Sequence, residues 1–308
     1  MVGSSNDAAI VLAEHVSGSQ EEFCNLMNQK AQELGCTNSH FINPNGVHNE
    51  NHYSTAYDLA LISKYAMQNE EFRKLVSTTS YKLPATAKYE REDRLFTTTN
   101  SLLIVNNNDR ADNYYYKYAI GVKTGFTTPA GNCLIAASSK DGFELLTVVL
   151  GSTQTSQGLS QRYLDTISMF NYGYSNYFMR EVAKEGSVVQ TTLISNATKD
   201  TKKLDLALSK DITVLIKKED KNSNLIPTIS LNENLKAPIK KGEIVGNVKY
   251  TVEGITYEAD LLANSDVKQS RIFIKILIFI VLIFIGFLYL RFKQKEKKNR
   301  RIKYYKGR

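Results

Sequence analysis

The chemically suggestive residues of this 308-residue chain sit in short strings. Lys123-Thr124-Gly125 joins an ammonium group, a hydroxyl and a position without a side chain. At a strand edge, the lysine and threonine can bind a carboxylate while the glycine lets a second backbone come close. The same tripeptide also suits a turn with a surface lysine. Ser4-Ser5-Asn6 stands immediately before an apolar run, where Ser or Asn ordinarily caps a helix. His48 and His52 have the i, i+4 spacing of a metal-chelating helical pair. They lie in an Asn/Pro/Gly-rich stretch, however, and lack an H-E-x-x-H pattern, so no metal site is expected. Cys24, Cys36 and Cys133 form neither a C-x-x-C pair nor an even set, which argues against a disulfide framework or zinc site. Neither a dinucleotide-binding glycine fingerprint nor a phosphate-binding loop is present.

The elements that must carry these strings follow from periodicity. Residues 7–17 predict a strongly apolar, buried helix ended by Gly18. Ser19 with Glu22 forms a capping box for a second helix, whose apolar positions Phe23, Leu26, Met27, Ala31 and Leu34 recur at helical spacing before Gly35. A loop covers residues 36–53. Thr55 and Asp58 start a third helix, and Glu70 to Val76 predicts a short fourth. Strands are expected within Tyr81–Thr99, over Tyr118–Thr124, and as a hairpin of Asn132–Ala137 and Phe143–Gly151 around Lys140-Asp141-Gly142. Arg162 to Tyr174 is helical, with Tyr163, Ile167 and Phe170 on one face. The aromatic run Tyr114–Tyr118 suits either a peptide-binding rim or strand packing. Residues 1–176 therefore predict an α+β domain. Residues 177–263 read as a strand-only β-sandwich, and 264–271 as a polar linker.

The net charge is +8, but its position matters more than its size. Residues 291–308 hold ten Lys or Arg against Glu296, and a +9 tail leaves −1 for residues 1–290. The body is therefore not basic, and a nucleic-acid partner is not expected. Before the tail, Ile272–Leu290 carries one charge, Lys275. A bilayer core of about 30 Å needs roughly 20 apolar helical residues. With Lys275 snorkelling, 272–290 predicts a single transmembrane helix. The basic flank marks the cytoplasmic side, so the body is expected outside the cell. The chain begins without an apolar export signal, which that topology requires.

Taken together, S-x-N before an apolar helix and K-T-G at the start of a hairpin resemble two of the three active-site motifs of penicillin-recognising enzymes. The chain resembles the D-alanyl-D-alanine carboxypeptidases, the low-molecular-mass penicillin-binding proteins. The resemblance is carried by Ser5-Asn-Asp-Ala-Ala-Ile-Val-Leu-Ala-Glu-His15, by Phe41-Ile-Asn-Pro-Asn-Gly46 with His52-Tyr-Ser-Thr-Ala-Tyr-Asp58, by Gly121-Val-Lys-Thr-Gly-Phe-Thr127, and by Ala237-Pro-Ile-Lys-Lys-Gly-Glu-Ile-Val-Gly246. It implies a penicillin-binding, β-lactamase-like α+β domain followed by an all-β sandwich. It also singles out Arg162, ten residues before Tyr172 and eleven before Gly173, as a carboxylate-binding arginine.

The implied activity is serine-type removal of the terminal D-alanine from peptidoglycan stem pentapeptides. β-Lactams would be acylating inhibitors of the intact enzyme, and no metal or organic cofactor is implied. Ser4 would relay a proton to the leaving nitrogen, and Asn6 would bind the substrate amide and orient the base. Lys123 would add positive charge, Thr124 and Arg162 would hold the terminal carboxylate, and the strand after Gly125 would pair with the peptide. The family's nucleophile belongs to an S-x-x-K motif a few tens of residues before S-x-N. The only such string here, Ser265-Asp-Val-Lys268, follows the β domain in the wrong order. Together with the missing export signal, this leads to the expectation of an N-terminally truncated portion of a longer protein, inactive as given. Alternative readings are a non-catalytic, membrane-anchored envelope-binding remnant and a β-lactamase.

Overall fold

The structure, a computed structural model, describes residues 1–91, 93–105 and 112–306, and within the last helix the side chains of 276–297. Helix α1 (Asn6–Ser17) is closed by Gly18 in the left-handed region. Helix α2 (Gln20–Glu33) starts where Ser19 Oγ accepts the Glu22 N–H at 3.1 Å. The same device starts α3 (Ala56–Ala66), with Thr55 Oγ1 accepting from Asp58 N, and α4 (Glu70–Ser77), with Asn69 Oδ1 accepting from Phe72 N. Each satisfies a backbone donor that a helix start leaves unpaired.

The expected burial of α1 is corrected. Only Ala13 is buried, and Val11, Leu12 and Val16 are each 63% exposed. The cause is the run of six apolar residues from Ala8 to Ala13, which winds around the whole helix. One neighbour, α2, covers one stripe of such a helix and leaves the rest in solvent.

Strands β1 (Ser80–Lys82) and β2 (Leu95–Thr97) pair antiparallel and are much shorter than the stretch expected to hold them. A three-stranded antiparallel sheet follows, with β3 (Ala119–Thr127), β4 (Gly131–Lys140) and β5 (Phe143–Ser152) in that spatial order. Its second hairpin turns on Asp141 and Gly142, both at positive φ, the two-residue turn that matches strand twist. Helix α5 (Gln161–Asn176) lies on β4 and β5, with Tyr163, Phe170 and Tyr174 buried. Gly173 permits this approach, because a Cβ there would meet Leu145 Cδ1 at 2.5 Å. Tyr116 and Tyr118 pack on Phe170 and Tyr174, with ring centroids 5.4 and 6.0 Å apart. The aromatic run thus supplies core packing. These elements belong to one compact unit, Met1–Phe178 with Lys217–Glu219.

The second unit spans Met179–Ile216 and Asp220–Arg308. Strands β6 (Tyr177–Ala183) and β9 (Ile212–Lys217) form one ribbon. Strands β7 (Val188–Leu193), β8 (Lys203–Leu208), β10 (Thr228–Leu231), β11 (Ile244–Val252) and β12 (Ile255–Ala263) form a sheet in the order β10-β11-β12-β8-β7. Alternating residues of both, including Val214, Leu206, Val248 and Leu261, close a single core, as in a sandwich. Residues 264–270 are bonded to this core's edge rather than free. Ile239 and Val267 exchange backbone hydrogen bonds, Val267 is buried, and Ser270 N donates to Asn196 O at 2.8 Å.

Helix α6 (Ile272–Lys306) joins the apolar segment and the basic tail in one continuous element. Ile276–Lys297 is long and apolar enough to cross a membrane, and none of it is buried among the described residues. The Lys275 side chain, the tail side chains after Lys297, and residues 307–308 lie outside the described residues.

Candidate active site

The K-T-G string lies within β3, with Lys123, Thr124 and Gly125 opposite Ile135, Leu134 and Cys133 of β4. Among the described residues strand β3 has no partner on its other side, so its backbone edge is open within the sheet. The Lys123 ammonium donates to the Thr124 carbonyl at 2.8 Å and to Ser4 Oγ at 2.6 Å. Burial, and next the positive charge of Arg162, hold the Lys123 pKa below the ordinary lysine value.

Ser4 reaches this position through its backbone. Its φ is +53°, in the left-handed region that non-glycine residues seldom occupy. The turn from Met1 to Ser4 is closed by a 3.2 Å backbone hydrogen bond. Gly3 allows the turn to sit against β2, since a Cβ there would meet Phe96 Cδ1 at 2.2 Å. Ser5 is the N-cap of α1 and makes no side-chain capping bond. The S-x-N string is therefore not built as an ordinary cap, because its first serine faces the lysine instead.

Arg162, in the first turn of α5, donates to the Gly125 and Cys133 carbonyls at 3.3 Å each, bracing β3 against β4. Its guanidinium carbon lies 4.9 Å from the centroid of the Tyr163 ring. Of the site residues that the resemblance implies, these contacts join all except Asn6, the first residue of α1, whose exposed side chain has no hydrogen bond among the described residues.

Two participants carried no motif. Thr99 Oγ1 lies 2.5 Å from Thr124 Oγ1, so a pair of hydroxyls stands beside the lysine. Buried Tyr163 donates its hydroxyl to Thr99 O at 3.0 Å and accepts the Ser101 N–H at 3.3 Å. A small cleft opens beside Lys123, Thr99 and Val122. On its wall Asn100, 2% exposed, leaves its side-chain nitrogen without a partner among the described residues.

Two of the early histidines, His40 and His52, bond to the backbone of their own loop. His40 Nδ1 donates to Asn51 O at 2.7 Å, and His52 Nδ1 accepts from Ile42 N at 3.2 Å. Among the described residues, no three His, Cys, Asp or Glu side chains gather as a metal site. The site can therefore do acid–base and anion-holding chemistry: a lysine of depressed pKa on a serine, a hydroxyl pair, and an arginine.

Both parts of the chain are similar to known proteins. The D-alanyl-D-alanine carboxypeptidase family model matches residues 1–154, and the model of the penicillin-binding protein 5 C-terminal domain matches residues 177–269. D-alanyl-D-alanine carboxypeptidase DacF of Bacillus subtilis is 31% identical over 270 residues, which are 87% of this chain and 64% of that protein. DacA of Haemophilus influenzae is 28% identical over 287 residues, 92% of this chain and 67% of that protein. The crystal structure of penicillin binding protein 5 from Haemophilus influenzae superposes with a TM-score of 0.64 at 27% identity, covering 87% of this chain and 72% of that one. The chain thus spans less than two thirds of the length of the Bacillus subtilis relative. With a family match across residues 1–154, half of its length, the chain belongs to the D-alanyl-D-alanine carboxypeptidase family.

Proposed function

We propose that this chain holds the substrate-gripping and proton-relay half of a serine-type D-Ala-D-Ala carboxypeptidase acting on peptidoglycan stem peptides. The observation that carries the reading is the 2.6 Å hydrogen bond from Lys123 to Ser4, flanked by the Thr99–Thr124 hydroxyl pair and by Arg162. Because Ser4 Oγ accepts from the ammonium, its own proton is free to be donated elsewhere.

In this mechanism the terminal carboxylate of the peptide meets Thr124 and Arg162, and the peptide backbone lies along the open edge of β3. A serine nucleophile attacks the penultimate D-alanine carbonyl. The peptide C–N bond breaks, Ser4 passes a proton to the departing amine, and water then hydrolyses the acyl-enzyme. Asn6 hydrogen-bonds the substrate amide. The nucleophile and its lysine base come from outside residues 1–308. The sole S-x-x-K string of the chain ends at Lys268, in the other compact unit.

Helix α6 anchors the protein in a membrane, with the body outside and the basic tail inside. The test is acylation by a fluorescent penicillin. Residues 1–308 should take no covalent label, and a longer chain carrying S-x-x-K upstream should be labelled stoichiometrically. Labelling of residues 1–308, or none in the longer chain, would overturn the reading. The absence of S-x-x-K from the first unit favours a second reading for the chain by itself, a non-catalytic binder of wall peptides. Binding of a D-Ala-D-Ala peptide without turnover by both forms would select it.

A further inference from the structure

Charge is distributed unevenly over the β unit. Three nine-residue segments, 195–203, 235–243 and 263–271, hold eight Lys or Arg against three Asp or Glu. The remaining residues of 179–271 hold seven cations against ten anions. The three segments are distant in sequence but zipped together. Ala237 N donates to Ser195 O, Thr198 N to Lys268 O, and Val267 N to Ile239 O, all within 3.0 Å. Lys199, Lys202, Lys236, Lys240, Lys241 and Lys268 are all exposed, and none forms a salt bridge among the described residues. The acids that share the segments are partly used by backbone. Asp266 accepts from Lys241 N, and Glu243 from Lys240 N. Asp200 feels the charge of Lys268 without a salt bridge to it, and the cations of the segments outnumber these acids at exposed positions.

We infer that this cluster is a basic collar that docks on the anionic phospholipid headgroups around the chain's own membrane helix. The inference rests on the reading of α6 as an anchor. Its geometric warrant is chain continuity. Ser270 is bonded to Asn196, and α6 begins at Ile272. Two chain steps reach at most about 7 Å, so the Ser270–Asn196 end of the cluster stands within a Debye length, about 8 Å at physiological salt, of the start of α6. Each cation near an anionic surface strengthens attachment about fivefold.

The full chain is reconstituted in nanodiscs of phosphatidylcholine, or of phosphatidylcholine with about one third phosphatidylglycerol, and its lysines are acylated by a water-soluble reagent. Labelling of Lys199, Lys240, Lys241 and Lys268 should fall at least about threefold on the anionic discs and recover near 1 M salt, where the Debye length is about 3 Å. Lys249, ion-paired with Glu258 outside the three segments, should label equally on both. The K240Q/K241Q variant, which keeps both backbone N–H bonds, should weaken protection of Lys199 and Lys268. Equal labelling on the two discs overturns the collar. Protection by soluble polyphosphate without protection by anionic lipid also overturns it, and assigns the surface to a phosphate polymer. A chain that does not stay in either disc overturns the anchor reading instead.

Discussion

Lys123 Nζ donates to Ser4 Oγ across 2.6 Å, joining residues 119 positions apart. The bond is what turns two weak strings into one site. Ser4→Ala leaves the ammonium with the Thr124 carbonyl alone. In a longer chain that includes the nucleophile, single-turnover release of D-alanine should slow by about 10²–10⁴, the usual scale of a lost proton relay, with little change in peptide affinity. An unchanged rate would remove Ser4 from the mechanism.

Arg162 and Tyr163 should separate binding from folding. Losing charged hydrogen bonds of about 1.5–3 kcal/mol, Arg162→Leu should weaken binding of a D-Ala-D-Ala peptide roughly 10- to 150-fold, read by calorimetry. Tyr163→Phe keeps the ring but orphans the Ser101 N–H and the Thr99 carbonyl. It should lower the melting temperature and also loosen peptide binding, because the Thr99 hydroxyl touches Thr124. A change in melting temperature with unaltered affinity would confine Tyr163 to stability.

Lys123 gives a signed pH dependence. Burial and Arg162 depress its folded pKa, so between that value and the ordinary lysine pKa of about 10.4 the unfolded chain binds more protons. The cost of the buried charge is therefore full below the folded pKa and fades as pH rises through that window. Lys123→Met should raise the melting temperature most at pH 7 and progressively less toward pH 10. A pH-independent difference would contradict it.

Asp58 behaves oppositely in its consequence. The Ser39 hydroxyl, at 2.7 Å, and the Asn38 N–H, at 2.8 Å, hold its carboxyl below the usual carboxylate range. Its stabilisation is present above about pH 3.9 and is lost as pH falls through the folded pKa. Asp58→Asn should lower the melting temperature at pH 7, and the gap should close below about pH 4. Urea titrations at the two pH values decide this.

Helix faces offer a stability test. Leu12→Gln, on an exposed part of α1, should change unfolding free energy by no more than about 0.5 kcal/mol in residues 1–308. Gly173→Ala, which drives a methyl into Leu145, should cost about 1–3 kcal/mol. A larger penalty for Leu12→Gln than for Gly173→Ala would mean that α1 is covered.

Local chemistry made parts of this fold legible in the sequence. Ser19 with Glu22, and Asp141 with Gly142, act through neighbours a few residues away, so their roles can be read from spacing. The apolar run of α1 was misread because apolarity tells what a helix could bury, not whether anything lies over it. In the site, Lys123 and Ser4 stood in recognisable strings. Thr99 did not, for its place beside Thr124 arises only when the chain after β2 folds back along β3. Tyr163 was legible as a core-facing ring, but its hydroxyl bonds to backbone, which no spacing rule announces. The same holds for residues 264–270, whose polar composition suggests a linker while their backbone groups are already bonded.

That last segment sets how far the β unit can wander from its helix. Eight unrestrained chain steps would give a root-mean-square tether of about 16 Å, whereas the two steps from bonded Ser270 through Arg271 to the start of α6 give about 8 Å. Halving the radius shrinks the volume accessible to the tethered unit about eightfold. A body held on so short a lead samples a narrow shell of heights above the start of its helix, and its position depends on how deeply that helix sits.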